Sequence, residues 1–152
     1  MVRNLMKHGF VVRIYARHPE KVADVAAEGA ELCDSIADCV RGSEAVITMV
    51  GFPADVRDVY FGAENILASA ARGTYLIDMT TTSPTLSQEL SRAGAERGMR
   101  VLDAPVTGGD TGARAGTLSI LVGGAREDYE TCLPLFRAMG TTINYQGGAG
   151  WG

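Results

Sequence analysis

The stretch Asp103-Ala-Pro-Val-Thr-Gly-Gly-Asp-Thr-Gly-Ala-Arg-Ala-Gly-Thr117 follows the apolar residues 99–102 and reads as a strand that opens into a polar, glycine-rich loop. Pro105 fixes its own φ and biases Ala104 toward extended geometry, while Gly108 and Gly109 remove two side chains and let a ligand approach the backbone. Thr107 sets a hydroxyl beside those bare amides. Residues 110–114 can start a helix, so the amides would lie at its N-terminus, where unpaired N–H groups stabilise a carboxylate or phosphate. The plainer reading is an ordinary glycine-rich turn between strand and helix.

Outward from this stretch, β-rich runs alternate with helical patterns. Residues 1–8 carry Met1, Val2, Leu5 and Met6 at helical spacing, and Gly9 ends that helix. Residues 11–15 form a short strand, and Pro19 suits the first turn of a helix over residues 20–28. Residues 30–33 read as a small strand, Asp34 or Ser35 can cap a helix over 36–41, and 45–50 read as a buried strand that turns at Gly51-Phe52-Pro53. Residues 54–60 and 64–71 look helical. A strand over 74–79 leads to Thr80-Thr81-Thr82-Ser83-Pro84, where Ser83 caps and Pro84 opens a helix that runs to residue 97. Beyond the opening stretch lie a strand over 117–122, a helix over 126–139 and a last strand over 141–145.

Strands alternating with helices of roughly 8 to 14 residues imply βαβ crossovers, hence an α/β fold with a doubly wound, mostly parallel sheet flanked by helices. Ligands of such sheets collect at the carboxyl ends of the strands. Here those ends are Arg17-His18, Met49-Val50-Gly51-Phe52-Pro53, residues 78–84 and residues 103–109, all polar or rich in glycine and proline. A nucleotide-binding fold of this kind normally begins with a strand and a glycine-rich turn before its first helix, whereas this sequence starts inside that helix. The sheet is therefore expected to lack its first strand, through a truncated fragment, a mis-assigned start, or a strand supplied by another chain.

Composition narrows the partners. With 152 residues, 46% of them hydrophobic, the chain can bury one domain's core. A net charge of -4 with interspersed signs gives no field for nucleic acid or an anionic membrane. No apolar run approaches the roughly 20 residues that span a bilayer, and a signal peptide is not recognisable, so a cytoplasmic location is the expectation. Two histidines, His8 and His18, and three scattered cysteines offer no metal-ligand set, so no metal is expected.

Residues 103–109 resemble the substrate-binding signature of the β-hydroxyacid dehydrogenase family, with Thr107 in place of the more frequent serine. Residues 78–84 are similar to that family's second signature, and residues 49–53 to the segment along the adenosine side of its cofactor. The resemblance covers essentially the whole chain. It implies a Rossmann-like NAD(P)-binding domain over residues 1–152, in which Thr107, Gly108 and Gly109 hold a small carboxylate substrate. It further implies Thr81 against the nicotinamide or its ribose, and Met49 and Val50 along the adenosine. Arg17 stands where an NAD-preferring fold would carry an acidic residue for the ribose 2′-hydroxyl, and its planar donors favour a 2′-phosphate, hence NADP, with NAD as the alternative.

The intact protein is thus expected to be an NADP-dependent oxidoreductase acting on a short β-hydroxyacid or reducing a small aldehyde acid. The alternative is a non-catalytic nucleotide-binding or protein-interaction module of the same fold. Residues 147–152 resemble the start of the family's interdomain helix, which implies that its catalytic lysine lies beyond Gly152, and neither Lys7 nor Lys21 matches that position; the family's C-terminal domain forms a dimer, so the resemblance also implies a homo-oligomer. The open sheet edge is a second potential route to self-association. Residues 1–152 alone are expected to give almost no turnover with NADPH and glyoxylate or succinic semialdehyde. A turnover assay returning rates comparable to a whole enzyme would overturn that expectation.

Overall fold

The computed structural model describes residues 1–152. Eight strands and eight helices alternate in the order α1 (Val2–Lys7), β1 (Arg13–Ile14), α2 (Ala23–Ala27), β2 (Glu31–Leu32), α3 (Ile36–Val40), β3 (Ala45–Thr48), α4 (Pro53–Phe61), α5 (Ile66–Ser69), β4 (Tyr75–Asp78), α6 (Pro84–Glu96), β5 (Arg100–Asp103), β6 (Val106–Thr107), α7 (Gly109–Ala115), β7 (Leu118–Gly123), α8 (Arg126–Met139) and β8 (Gly140–Gly147). A 3₁₀ turn over Pro19–Val22 precedes α2, so the helix expected from residue 20 is split. Pro19 opens the 3₁₀ turn, and Gly29, with φ 125°, follows α2.

Local start signals act as expected. Ser35 Oγ accepts the Asp38 N–H at the start of α3, and Ser83 Oγ accepts the Leu86 N–H at the start of α6, with Pro84 as its first residue. Gly9 follows α1 in the left-handed region at φ 89°, where a side chain would be strained.

The strands form two ladders. β1 and β2 pair in parallel by themselves, while the larger sheet runs β3-β4-β5-β7, with β6 continuing the line of β5 beside β7 and β8 on the other side of β7. The β3, β4 and β5 pairs are parallel, and β7 is antiparallel to β5 and β6. β1 and β3 share no ladder. The short strand β6 is a correction to the sequence reading, which treats residues 104–109 as loop. Past Pro105, which has no N–H to donate, Val106 pairs with Ile120 and Thr107 with Ser119, so the chain stays extended for two more residues.

The sheet is filled on both faces because successive residues point to opposite sides. In β4 and β5, Ile77 and Leu102 face a cluster with Leu5 of α1 and Phe136 and Met139 of α8. Their neighbours Leu76 and Val101 face the other cluster, with Val56 and Tyr60 of α4 and Leu86 and Leu90 of α6. Continuous apolar runs in β4 and β5 therefore reflect burial from two sides. No helix is long and apolar enough to cross a membrane.

Helix α6 approaches β5 closely at Gly94, where an added Cβ would overlap Val101 Cγ2. Gly94→Ala is therefore expected to destabilise the protein by about 1–2 kcal/mol, because overpacking outweighs the gain in helix propensity. The urea unfolding midpoint measures this, and an unchanged or raised midpoint would show that the α6–β5 contact yields freely.

Candidate functional site

The carboxyl ends of β3, β4 and β5 form one row, since Thr48, Asp78 and Asp103 are register partners across the three strands. The loops that leave this row are tied together by a buried hydrogen-bond network. Asp78 Oδ1 accepts the Thr48 hydroxyl at 2.9 Å and the Thr80 N–H at 3.1 Å. The hydroxyls of Thr48 and Tyr60 lie 2.8 Å apart, and Thr80 Oγ1 accepts the Val50 N–H at 3.0 Å. This last bond holds the loop after β3 against the loop after β4.

Burial raises the Asp78 carboxyl above its ordinary 3.8; hydrogen bonds from Thr80 and Thr48 oppose the rise and the Asp103 charge adds to it. The Tyr60 phenol is pushed up by burial and by the Asp78 charge, so it stays protonated and can donate to Thr48.

Around this row the structure places the residues singled out by sequence. Met49 and Thr81 are exposed and Val50 is half-buried on the tied loops. Thr107 is exposed at the end of β6, Gly108 follows at φ 138° and Gly109, at φ 60°, opens α7. An added Cβ on Gly108 would lie 3.2 Å from Leu118 Cδ2, so the turn is close-packed on one side and open on the other. Arg17 follows β1, and its Nη2 lies 3.5 Å from Asp55 Oδ1 near the start of α4. That ion pair brings the end of the small ladder to the loop after β3.

Asp103 does more than end a strand. Its two carboxylate oxygens accept the Gly150 N–H at 2.9 Å and the Gly152 N–H at 2.7 Å, fastening residues 150–152 beside the end of β5. Gly123 and Gly152 come so close to this carboxylate that a Cβ on either would sit 2.6 Å from Asp103 Oδ2. Sequence reasoning quoted Asp78 and Asp103 within the motifs but missed their roles, along with those of Thr48, Tyr60, Thr80 and Asp55. An aspartate ending an otherwise apolar strand was the available signal.

The arrangement suits a nicotinamide dinucleotide. Met49 and Phe52, 53% and 71% exposed, offer apolar surface at the mouth of the β3 loop. Thr82 Oγ1 is buried without a hydrogen-bond partner in the loop after β4. Exposed apolar side chains, a hydroxyl without a partner, and a basic Arg17 beside the start of α4 match a ligand with rings, hydroxyls and phosphates. Two clefts of about 350 and 360 Å³ lie elsewhere, one lined by Ser91, Met99, Arg100 and Asp128, the other by Arg13, Cys33 and Arg41. Neither contains a residue of the strand-end row.

Residues 1–147 match the NAD binding domain of 6-phosphogluconate dehydrogenase. The chain belongs to that family. Among curated proteins this NAD binding domain is 45% identical over 152 residues to the uncharacterized oxidoreductase YkwC of Bacillus subtilis, covering all of this chain and 53% of that protein. It is 38% identical to 3-hydroxyisobutyrate dehydrogenase of Pseudomonas aeruginosa, again over the whole chain and 51% of the relative. The chain thus spans about half the length of the curated relatives it matches. Among solved structures, 3-hydroxyisobutyrate dehydrogenase of Mycobacterium tuberculosis with L-serine superposes with a TM-score of 0.94 at 35% identity, covering 99% of this chain and 51% of that one. Psf3 in complex with NADP+ and 2-OPP gives 0.93 at 29% identity, over 98% and 53%.

The Asp78 network carries a pH signature. Because the folded carboxyl holds its proton more tightly than the unfolded one, ionised Asp78 costs stability above its raised value, and the cost vanishes as pH falls toward 3.8 and below. Asp78→Asn keeps an oxygen for Thr48 and Thr80 but has no charge to bury. Its stability relative to the parent chain is therefore expected to be more favourable at about pH 7 than at about pH 4. Urea midpoints of both proteins at the two values test this, and a difference independent of pH would refute it.

Proposed function

We propose that residues 1–152 form the cofactor-binding part of an NADP-dependent oxidoreductase that oxidises a short β-hydroxyacid or reduces a small aldehyde acid. The observation that carries this reading is the row Thr48–Asp78–Asp103, whose adjoining loops bear the motif residues 49–50, 81 and 107–109 at one end of the sheet. In support, relatives that match the whole chain include 3-hydroxyisobutyrate dehydrogenases and an NAD-dependent L-serine dehydrogenase of Pseudomonas aeruginosa. The M. tuberculosis enzyme was solved with L-serine, itself a carboxylate with a β-hydroxyl.

In this reading the chain's residues bind and orient. Arg17 takes the nucleotide's 2′-phosphate, Met49 and Val50 line the adenosine side, and Thr81 meets the nicotinamide or its ribose. Thr107 donates its hydroxyl to the substrate carboxylate, and Gly108 and Gly109 leave their amides open to it; together they hold the hydroxyl-bearing carbon toward the nicotinamide. The bound nicotinamide supplies hydride acceptance and donation. Asp78, Thr48 and Thr80 act beneath, keeping the two cofactor loops in register without touching either ligand. No lysine of this chain is assigned to proton exchange, because Lys7 lies in α1 and Lys21 in the 3₁₀ turn before α2. That step belongs to residues outside 1–152.

Thr107→Val keeps the side-chain volume and removes the hydroxyl. In the whole protein, oxidation of 3-hydroxyisobutyrate or L-serine with NADP+ is expected to lose about tenfold to a hundredfold in kcat/KM, the range of a hydrogen bond to a charged group. The dissociation constant of NADP+ is expected to stay as it was. An unchanged kcat/KM would remove Thr107 from the substrate site, and absence of any activity with the parent protein would favour the non-catalytic module.

A further inference from the structure

The ion pair between Arg17 and Asp55 points to a role for Asp55 that the sequence motifs do not contain. Asp55 lies in the first turn of α4, and its carboxylate has two partners from different parts of the chain. Oδ2 accepts the Phe52 N–H at 3.1 Å, which fixes the carboxylate against the start of the helix, and Oδ1 faces Arg17 Nη2 at 3.5 Å. An added Cβ on Gly51 would stand 3.4 Å from Oδ2, so the carboxylate rests on the bare backbone of the loop after β3. The Arg17 side chain is 65% exposed, whereas that of Asp55 is only 28% exposed. The aspartate is the more enclosed partner and the arginine the one open to solvent.

We infer that Asp55 sets the cofactor selectivity of this site, by holding Arg17 in the way a nucleotide 2′-phosphate would and by offering a carboxylate to a ribose 2′-hydroxyl. The inference rests on the assignment of Arg17 to the 2′-position and adds a residue on a different strand's loop. Nucleotide folds that prefer NAD place an acidic side chain at the end of the second strand to accept the 2′-hydroxyl. Here arginine occupies that strand end, and the acidic group reaches the same place from α4. A 2′-phosphate must draw Arg17 away from Asp55 and bear the repulsion of the carboxylate. A 2′-hydroxyl meets no repulsion and can donate to it. Asp55 therefore narrows the advantage that Arg17 gives to phosphorylated nucleotides, and the site accepts both forms.

The test uses the whole protein with adenosine 2′,5′-bisphosphate and adenosine 5′-monophosphate, which differ only in the 2′-phosphate, and calorimetric titration as readout. Asp55→Asn keeps an oxygen for the Phe52 N–H, so the helix start is retained, and an unfolding midpoint close to the parent's checks this. The variant is expected to bind the bisphosphate about fivefold more tightly, the scale of a solvent-screened ion pair, and the monophosphate no better. Arg17→Ala is expected to weaken the bisphosphate alone, and in that background the gain from Asp55→Asn is expected to shrink. If Arg17→Ala weakens the bisphosphate while Asp55→Asn leaves both ligands unchanged, the inference about Asp55 is overturned and the cofactor reading stands. If Arg17→Ala changes nothing, or neither ligand binds the whole parent protein, the cofactor reading of this cleft fails and the inference with it. A gain that persists undiminished without Arg17 would also overturn the inference, since Asp55 would then act without holding the arginine.

Discussion

A carboxylate buried at the end of a central strand organises this domain. Asp78 is 2% exposed, and such a group is tolerated only when donors surround it. Thr48 supplies one from the neighbouring strand and Thr80 another from the chain just beyond Asp78. Thr80 then uses its own hydroxyl to receive Val50, so the need to satisfy one charge fixes the path of two loops. Tyr60 closes the network from α4, which links the helix behind the sheet to the row of strand ends.

A second carboxylate performs a comparable task one strand away. Asp103 spends both oxygens on the amides of Gly150 and Gly152, which holds residues 150–152 beside the end of β5. The two aspartates are register partners, and the charge of Asp103 adds to the rise of the Asp78 carboxyl. Their proximity is stable because each has its own donors. Glycine at positions 123 and 152 is a steric requirement of this clamp, as a Cβ would enter the carboxylate or adjacent backbone.

The functional reading depends on the junction between the two ladders. β1 and β2 are only two residues long and share no ladder with β3. What brings Arg17 to the β3 loop is a side-chain ion pair with Asp55, weak by itself because solvent screens it. A weak pair suits a ligand site, since a strong one would resist exchange for a nucleotide. The backbone path itself is that of the 3-hydroxyisobutyrate dehydrogenase of M. tuberculosis over 99% of the chain.

Much of this was legible in the residues themselves. Periodicity, Ser35 and Ser83 as caps, and glycine and proline as punctuation determined the alternation of strands and helices, because these are local effects acting within a few residues. The strand ends that carry residues 49–50, 81 and 107–109 stand out in the sequence as stretches with polar residues, glycine or proline after apolar runs, while the roles expected of those residues came from the family resemblance. Tertiary structure alone decided that β7 runs antiparallel and that residues 106–107 pair with it, since ladder partners lie far apart in sequence and no local pattern names them. It also decided that Asp78 joins Thr48 and Tyr60, that Asp103 reaches Gly150 and Gly152, and that Asp55 meets Arg17. Each is a long-range contact made by a side chain whose partner becomes its neighbour only when the sheet has assembled, and burial then makes satisfying its charge or hydrogen bond a condition of the fold.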